Sequence, residues 1–504
     1  LPSLRIERGR ACRPPAVGFC FRSRRKRVFS CVMPAPVISI AQMRDWERGT
    51  WAAGQEQAEV IRRVGRAVAR WIMQLTQAGD LVLILAGKGH NGDDARCARE
   101  HLADRRVEVL EVTETAADLA KLETLLNLRP ALVVDGLFGI GLDRPLGPGW
   151  VSFIERVNAA RLPVLAVDVP SGLNADTGEP QGAAIKAAVT LTVGAPKVGL
   201  VQEVAWPFVG RLEVATDVGL APCPHQSELR WTLPEDFAGF PPARAAATHK
   251  GNYGHLAIVA GSLGYHGAAV LAARGAQRAQ PGLITLHTLE AVYHSIAPQL
   301  QSVMVKVWLP EGKLPGDHDS ILVGPGLAAP DVPDQMKMLT RHLWRDMFMP
   351  VVVDASALDW LPLDPVPRTV IRVITPHPGE AARLLRATPQ QVQANRLNAL
   401  RNVSRRFGNA WVVLKGHQTL IGRNVGEVYV NSSGNPHLAQ GGSGDLLAGF
   451  LAGLLAQADL RADVLQTIRY AVWQHGAAAD CLQAARTNWV VEDLGEVLGT
   501  VKGR

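Results

Sequence analysis

Short apolar runs alternate with helical stretches in two separate series along the chain, and this alternation constrains the fold most. In the first half several runs are continuous Val, Leu and Ile, which is typical of strands buried on both faces of a parallel sheet. The strands predicted in this half are 81–86, 107–112, 131–135, 164–169, 188–193 and 211–215. Apolar residues at helical spacing precede them over 38–77. The first half is therefore predicted to be a Rossmann-like α/β/α sandwich.

The second half repeats the alternation with different motifs, which indicates a fusion of unlike domains rather than a duplication. Its predicted strands are 255–260, 283–287, 303–308, 321–324, 351–354, 372–374 and 411–415, followed by a hairpin-like pair at 419–422 and 427–431. A long helix is predicted from Gly444. Five prolines interrupt the pattern within 221–245. We therefore predict domains at 33–224 and 245–504, joined by a linker at 225–244.

The positive charge of the chain is concentrated at its start. The chain carries a net charge of +7, but nine basic residues and one acid give residues 1–32 a charge of +8, so the rest sums to −1. A body near neutrality lacks the electrostatic footprint of a protein that binds a polyanion. No nucleic-acid partner is expected.

Residues 1–32 show no periodic apolar pattern, and they are rich in Arg and poor in acids. We expect a disordered or mis-assigned N-terminal extension, with Met33 as the native start. A transit peptide is the second hypothesis, because such peptides share this composition. A nucleic-acid-binding arm is the third.

Cysteine spacing and apolar run lengths bound the location of the protein. Outside the first 32 residues, Cys97, Cys223 and Cys481 are far apart and form no CxxC pair, which favours a reducing compartment. The longest apolar run, 446–456, is shorter than the roughly 20 residues that a membrane helix needs. A cytoplasmic location without a membrane partner is expected.

Polar clusters follow three of the strands predicted in the first half. The run 87–94 is glycine-rich and opens a helix, an arrangement that suits an anion. Its two acids, Asp93 and Asp94, instead suit a cation or a hydroxyl-rich ligand. Asp135 and Asp168 each end a buried strand beside a glycine-rich turn. Carboxyl ends of parallel strands meet at one edge, so a single crevice is predicted; each Asp could otherwise cap a helix.

Residues 38–220 resemble the YjeF N-terminal family, the NAD(P)H-hydrate epimerases, in the loop 87–94, in the strand ends 134–142 and 167–173, and in 195–200. The resemblance implies a potassium ion held by Asn91, Asp135 and Ser171, whose oxygens suit a hard cation. It also implies substrate contacts at His90, Asn91, Gly92, Asp93, Asp94, Gly139, Ile140, Gly141, Leu142, Asp143, Arg144, Pro145 and Asp168. Asp168 is the candidate acid–base for inverting C6 of the hydrated nicotinamide, and Lys197 is a candidate for positioning the substrate.

The loop departs from the usual family form, NNGGDG, at His90, Asp93 and Ala95. We expect the added carboxylate of Asp93 to weaken phosphate binding and to slow epimerisation. His90 is either a ligand contact or a surface turn residue. The departure also leaves open a lapsed active site that serves as a binding scaffold.

The strongest signal in the second half is the glycine-rich run 441–444, which leads into a helix that carries Asp445. Several backbone N–H groups there can point at one anion, as in sites that stabilise a transferring phosphoryl group. Asp445 can take the proton of an attacking hydroxyl. The alternative role for Asp445 is to stabilise the helix N-terminus.

Residues 245–500 resemble the ribokinase-like fold and, within it, the ADP/ATP-dependent NAD(P)H-hydrate dehydratases. The shared motifs are 249–254, 259–262, 266–269, 324–327, 353–355, 375–380, 414–419 and 435–449. The resemblance implies that the hydrated nucleotide contacts Gly267, Gly326, His377 and Asp445. It implies that the adenine nucleotide contacts Lys415, Gly416, His417, Gln418, Thr419 and Gly444. His377 could otherwise be an ordinary loop histidine, and Lys415 a solvated lysine at a strand end.

Together the two resemblances imply repair of hydrated nicotinamide cofactor. The first domain would epimerise (R)- and (S)-NAD(P)HX, and the second would dehydrate the (S) form to NAD(P)H while ADP becomes AMP and phosphate. K⁺ in the first domain, Mg²⁺ in the second and a homo-oligomeric state are expected. The alternative is a ribokinase-type kinase of a vitamin precursor whose first domain only binds.

Overall fold

The computed structural model describes residues 34–310, 314, 317–363 and 369–503. The prediction for residues 1–32 lies outside this part of the chain. The strands are β1 Ala35–Pro36, β2 Leu81–Ala86, β3 Arg106–Glu111, β4 Leu132–Gly136, β5 Val164–Val167, β6 Val189–Val193, β7 Arg211–Ala215, β8 Leu229–Trp231, β9 His255–Val259, β10 Leu283–Thr288, β11 Met304–Val307, β12 Ser320–Val323, β13 Val351–Val353, β14 Arg372–Ile374, β15 Trp411–Leu414, β16 Leu420–Gly422 and β17 Val428–Val430. The helices are α1 Ile40–Ala52, α2 Gln57–Leu75, α3 His90–Ala98, α4 Thr115–Asn127, α5 Pro148–Ala159, α6 Trp206–Val209, α7 His266–Ala279, α8 Glu290–Ile296, α9 Asp334–Asp346, α10 Pro378–Leu385, α11 Pro389–Ala394, α12 Arg396–Arg406, α13 Ser443–Leu455, α14 Ala458–Arg461, α15 Val464–Ala485 and α16 Val491–Val497. Among the described helices, none combines the length and apolarity needed to cross a bilayer.

The first half forms a six-stranded parallel sheet in the order β3-β2-β4-β5-β6-β7. The central strands β2, β4, β5 and β6 are buried on both faces, as their continuous apolar runs predicted, whereas the edge strands β3 and β7 are partly exposed. Val68 and Ile72 of α2 belong to the core on one face, and Phe153 of α5 belongs to the core on the other. The predicted α/β sandwich is confirmed. Because the strands are parallel, Asp135 in β4 and Asp168 after β5 lie at the same edge.

The second half forms most of an eleven-stranded sheet in the order β1-β8-β17-β16-β15-β14-β13-β12-β9-β10-β11. Strands β9 to β15 pair in parallel, and β16 pairs antiparallel with both β15 and β17. The parallel α/β class is confirmed here as well. The ends of β13, β14 and β15 bring the motifs at 353–355, 375–380 and 414–419 to one edge.

Two short strands cross the predicted division between the halves. β8 lies inside the stretch that was expected to lack a regular element, and it pairs with β17. β1 pairs with β8, so the first described residues belong to the second sheet. Trp231, only 2% exposed, anchors β8 in the core. A strand of three residues is too short to give a periodic pattern, and the exact domain boundaries stay a prediction.

Helices α7 and α13 pack so closely that glycine is required between them. A Cβ atom added at Gly449 would lie 1.8 Å from the carbonyl oxygen of Ala272. Such an overlap is with backbone, so the helices themselves would have to separate. This packing holds the start of α13, and with it Asp445, against the sheet.

Replacing Gly449 with Ala is therefore expected to destabilise the protein by about 1–3 kcal/mol, because overpacking forces the backbone to shift. Gly49, in the last turn of α1, has open space around it. Gly49→Ala should instead stabilise by about 0.5–1 kcal/mol, because alanine favours the helix. Thermal unfolding of both variants checks this, and a Gly449→Ala protein that melts no lower than wild type would contradict the packing argument.

Candidate active sites

A cavity of about 880 Å³ lies at the carboxyl ends of the first sheet. The predicted contacts that line it are His90, Asn91, Asp94, Gly139, Ile140, Gly141, Leu142, Asp143, Arg144, Pro145 and Asp168. Gly92 is buried beneath the loop, where a Cβ atom would lie 2.1 Å from the carbonyl oxygen of Gly87. The structure thus brings most of the predicted set to one cavity, and Gly92 serves the turn that shapes it.

Asn91 lines this cavity, and the backbone of Phe138 links it to the buried pair Asp135 and Ser171. The Ser171 hydroxyl donates to Asp135 Oδ1 at 2.6 Å, and the Ser171 backbone N–H donates to Oδ2 at 2.8 Å. Asn91 Nδ2 donates to the carbonyl oxygen of Phe138 at 3.0 Å, while Asn91 Oδ1 is buried without a hydrogen-bond partner in the part of the chain that the structure describes. Burial raises the pKa of Asp135 to about 6. The cluster therefore offers buried oxygen atoms that could hold a cation, Asn91 Oδ1 among them.

Asp168 is held in a fixed orientation by a buried lysine. Its backbone takes a left-handed φ of +63°, and its Oδ1 accepts from Lys197 Nζ at 2.5 Å and from the Val193 N–H at 3.1 Å. Lys197 is 0% exposed and also donates to Thr192 Oγ1 at 3.0 Å. Lys197, expected to position the substrate, thus has Asp168 as its partner.

A third carboxylate that the sequence did not single out lines the same cavity. Glu47 projects from α1, and its pKa is raised by burial and then by the negative charge of Asp168. Burial, followed by the charge of Asp168, raises the pKa of Asp94 well above its usual value. Two carboxyl groups with raised pKa values and an ion-paired carboxylate therefore share one cavity. Glu47 lies in a helical stretch without a motif, so no sequence signal could have identified it.

The altered loop residues have defined partners. Arg96 Nη1 donates to Asp93 Oδ1 at 2.7 Å, and the same guanidinium donates to Glu111 and to the carbonyl oxygen of Gly87. Asp93 therefore shares the Arg96 guanidinium with Glu111. His90 lines the cavity, and its Nε2 lies 3.0 Å from Gln57 Nε2.

A charged cluster surrounds Lys415 at the edge of the second sheet. Lys415 Nζ donates to Asp354 Oδ1 at 2.8 Å and lies 3.8 Å from Glu380 Oε2. Burial alone would lower the pKa of Lys415, but the charges of Asp354 and Glu380 raise it. A Cβ atom at Gly444 would lie 3.3 Å from Lys415 Nζ, so the ammonium reaches the first turn of α13. Lys415 is an ion-paired group rather than a solvated lysine.

Asp445 lies in the first turn of α13, close to this cluster. Burial and then the negative charge of Asp354 raise the pKa of Asp445 to about 7, against the opposing charge of Lys415. A carboxylate whose pKa lies near neutrality can both take and release a proton. Asp445 is therefore suited to acid–base chemistry as well as to stabilising the helix N-terminus.

His377 caps α10 through its side chain. Its Nδ1 accepts from the Gly379 N–H at 3.0 Å, and Glu380 Oε2 accepts from the His377 N–H at 2.7 Å. This capping explains the histidine between two prolines, while half of the side chain stays exposed (54%). Gly326 has φ +65°, and a Cβ atom added there would lie 2.4 Å from the carbonyl oxygen of Tyr265, two residues before Gly267 at the start of α7. Gly267 and Gly326 are thus brought together.

The Arg396 side chain of α12 clamps the backbone of the loop 415–419. The guanidinium donates to the carbonyl oxygens of Leu414 at 3.1 Å, Lys415 at 3.3 Å and Gln418 at 3.2 Å, and also to that of His417. Arg396 lies about 20 residues before the loop in the chain, so only the fold reveals the contact. Asp354, Glu380 and Arg396 are the residues of this site to which the sequence assigned no role.

Comparison with known proteins matches each half of the chain to the family that its motifs resemble. The family model described as YjeF-related protein N-terminus matches residues 57–123 and 109–199, and the model described as NAD(P)H-hydrate dehydratase matches 256–498. A solved dehydratase structure, the ADP/ATP-dependent NAD(P)H-hydrate dehydratase from Bacillus subtilis with ATP and Mg²⁺, is 29% identical. It has a TM-score of 0.47 and covers 53% of this chain and 95% of that one.

Full-length relatives extend across both sites. A bifunctional NAD(P)H-hydrate repair enzyme from Gloeobacter violaceus is 36% identical over 496 residues, covering 90% of this chain and 94% of the relative. A protein of the same name from Coxiella burnetii is 33% identical over 464 residues, covering 87% of this chain and 93% of the relative. Since the agreement runs through both halves, the chain belongs to the family of bifunctional NAD(P)H-hydrate repair enzymes.

Proposed function

We propose that the first half inverts C6 of hydrated NAD(P)H by acid–base catalysis in the 880 Å³ cavity. C6 carries a hydroxyl and the ring nitrogen, so the nitrogen lone pair can expel the hydroxyl as water once a proton is supplied. Water then returns to the other face and gives up a proton. Such an inversion needs one proton donor and one acceptor. Asp168, oriented by Lys197, is the acceptor, and protonated Asp94 or Glu47 is the donor.

The residues around Asn91 fit a potassium ion. Asn91 Oδ1 is buried and has no hydrogen-bond partner among the described residues. The Phe138 carbonyl oxygen accepts from Asn91 Nδ2 at 3.0 Å and from the Ser171 hydroxyl at 3.3 Å, which links Asn91 to the Ser171–Asp135 pair. Amide, carboxylate and hydroxyl oxygens are the ligands that suit a hard cation. When bound, K⁺ supplies a fixed positive charge near an anionic part of the substrate. The contribution of the chain is to hold the loop 87–94 against the strand ends.

Epimerisation by the wild-type protein should therefore depend on K⁺. Replacing Asn91 with Ala is expected to raise the K⁺ concentration needed for half-maximal rate by about tenfold or more, because one ligand is lost. The rate of interconversion of NADHX epimers is measured against KCl, with choline chloride holding the ionic strength. Dehydration of pure (S)-NADHX by the variant is the internal control. A rate that is indifferent to K⁺ in both proteins would refute the cation site.

For the second half we propose ADP-dependent dehydration, carried by the Asp445–Lys415 arrangement. Asp445 takes the proton of the C6 hydroxyl. The hydroxyl oxygen bonds to the β-phosphorus of ADP as the bond between that phosphorus and AMP breaks. The ring nitrogen then expels phosphate from C6, and loss of the C5 proton gives NAD(P)H. Lys415 and the N–H groups of the run 441–444 stabilise the charge on the transferring phosphoryl group.

Magnesium fits this site as a companion of the nucleotide. Mg²⁺ usually takes one or two carboxylates together with substrate phosphates and water. Glu380 and Asp354, both buried beside Lys415, would supply the carboxylates. When bound, the ion neutralises phosphate charge. ADP rather than ATP as the phosphate donor rests on the resemblance of the fused chain to users of ADP.

The proposed function is tested by incubating the purified protein with mixed NADHX epimers and ADP and following the absorbance of restored NADH. Consumption of both epimers supports the full proposal. If the (S) epimer is consumed directly and the (R) epimer only as fast as it converts spontaneously, the first half only binds its ligand. If neither ADP nor ATP drives any dehydration, the second half is not a dehydratase, and a screen for vitamin-precursor kinase activity follows.

We also propose that the protein is a cytoplasmic homo-oligomer with no nucleic-acid partner. The cysteine spacing and the near-neutral charge of residues 33–504 support the location and the absence of a polyanion partner. Light scattering of the purified protein tests the oligomeric state.

A further inference from the structure

A segment of the first half reaches the loop that the second half is proposed to use for its adenine nucleotide. Trp206 of α6 packs edge-on against His417, with ring centroids 4.9 Å apart and an interplanar angle of 76°. The Arg396 guanidinium lies 5.4 Å from the centroid of the same indole ring. Trp206 therefore touches both a member of the loop 415–419 and the arginine that clamps it.

The loop 415–419 is held largely by contacts from outside it. Gln418 has φ +51°, and both polar atoms of its side-chain amide are buried without a hydrogen-bond partner among the described residues. The carbonyl oxygens of Lys415, His417 and Gln418 accept from Arg396, and that of Gly416 accepts from Thr419 Oγ1 at 2.9 Å. Burial lowers the pKa of Arg396 to about 10, and the carboxylate of Glu203, three residues before Trp206, acts against that effect. The first half thus contributes both a ring and a charge beside the clamp.

A second contact from the same segment supports the other side of the site. Arg211 Nη1 lies 2.9 Å from Asp480 Oδ2. Asp480 accepts from the Gly434 N–H and from Asn435 Nδ2, each at 3.0 Å. This carboxylate therefore fixes the chain just before the glycine-rich run 441–444. Residues 206–211 consequently contact the supports of both loops that flank the proposed nucleotide site.

We propose that the epimerase half positions the nucleotide-binding loop of the dehydratase half, with Trp206 as the positioning residue. The loop adopts its binding conformation when Trp206 holds His417 and the Arg396 guanidinium in place. The two halves then act together in binding ADP, in addition to acting on the same substrate. The inference rests on the proposed use of 415–419 as the nucleotide site.

The test compares Trp206→Ala, Trp206→Phe and Trp71→Ala in the full-length protein. Trp206→Ala is expected to raise KM for ADP about three- to tenfold, because an aromatic pair and a cation–π contact are lost. Its kcat at saturating ADP and its epimerisation rate should stay near wild type. Trp206→Phe should recover most of the affinity, since a ring remains. Trp71, a half-buried tryptophan of α2 in the first-half core, is the matched control and should leave KM for ADP unchanged.

The proposal would be overturned by an unchanged KM for ADP in Trp206→Ala, by an equal rise in Trp71→Ala, or by no recovery in Trp206→Phe. A parallel fall of kcat in both reactions would also overturn it, because that pattern indicates general destabilisation. Failure of the proposed function is distinguishable, since the wild-type protein itself would then show no ADP-dependent dehydration.

Discussion

Asp445→Asn is expected to lower kcat for ADP-dependent dehydration of (S)-NADHX by about 10²–10⁴-fold, because the amide cannot take the hydroxyl proton. Epimerisation in the first half should continue at the wild-type rate. The measurement follows NADH formation from pure (S)-NADHX, and interconversion of the two epimers is followed in the same samples. A variant that retains a tenth or more of the wild-type kcat would remove Asp445 from the role of base.

The same residue predicts a pH dependence. Because burial and Asp354 raise the pKa of Asp445 to about 7, the deprotonated base accumulates as pH rises through neutrality. Dehydration should therefore accelerate between pH 6 and pH 8 by roughly the gain in ionised fraction, and the residual rate of Asp445→Asn should lack this rise.

The contribution of Asp445 to the free energy of unfolding should fall over the pH range in which the rate of dehydration rises. A carboxyl whose pKa is raised by folding favours the folded state below its usual pKa, and that contribution is lost as pH rises through the folded value. Above neutrality, wild-type protein keeps a buried charge that Asn lacks, so Asp445→Asn should melt no lower than wild type at pH 8. A lower melting temperature accompanied by loss of both activities would mean that the variant is merely misfolded.

Asp168→Asn is expected to lower the epimerisation rate by about 10²-fold or more, because the cavity loses its oriented proton acceptor. The measurement uses mixed epimers with ADP, in which the (S) form should be consumed normally and the (R) form only as fast as it converts spontaneously. Dehydration of (S)-NADHX in the same sample reports that the second half is intact.

A second variant protects this prediction from a folding defect. Asp168→Asn leaves Lys197 buried without its carboxylate, and breaking a buried pair in this way costs about 3–5 kcal/mol. The double variant Asp168→Asn/Lys197→Met removes the unpaired charge and should recover much of the melting temperature. Epimerisation should stay low in the double variant. Recovered epimerisation would show that Asp168 serves only to neutralise Lys197.

The sequence by itself determined most strands of both sheets, although it missed the short strands β1 and β8. Buried parallel strands must be continuous in Val, Leu and Ile, so the runs at 81–86 and 351–354 predicted β2 and β13 almost to the residue. The parallel arrangement then implied that Asp135 and Asp168 share an edge. Glycine-rich turns before helices marked the loops 87–94 and 441–444 by the same local logic. The roles of individual side chains at these sites remain predictions.

Only the tertiary structure decided which charges face one another. Lys197 meets Asp168 and Lys415 meets Asp354 because separate strand ends converge, and chain spacing alone does not report such pairs. Glu47 enters the first cavity from a helix without a motif, and Trp206 reaches the second half through a four-residue helix. Local patterns record which face of an element is buried. The partner across that face depends on how distant elements pack, because hydrophobic burial is non-directional and selects no particular partner.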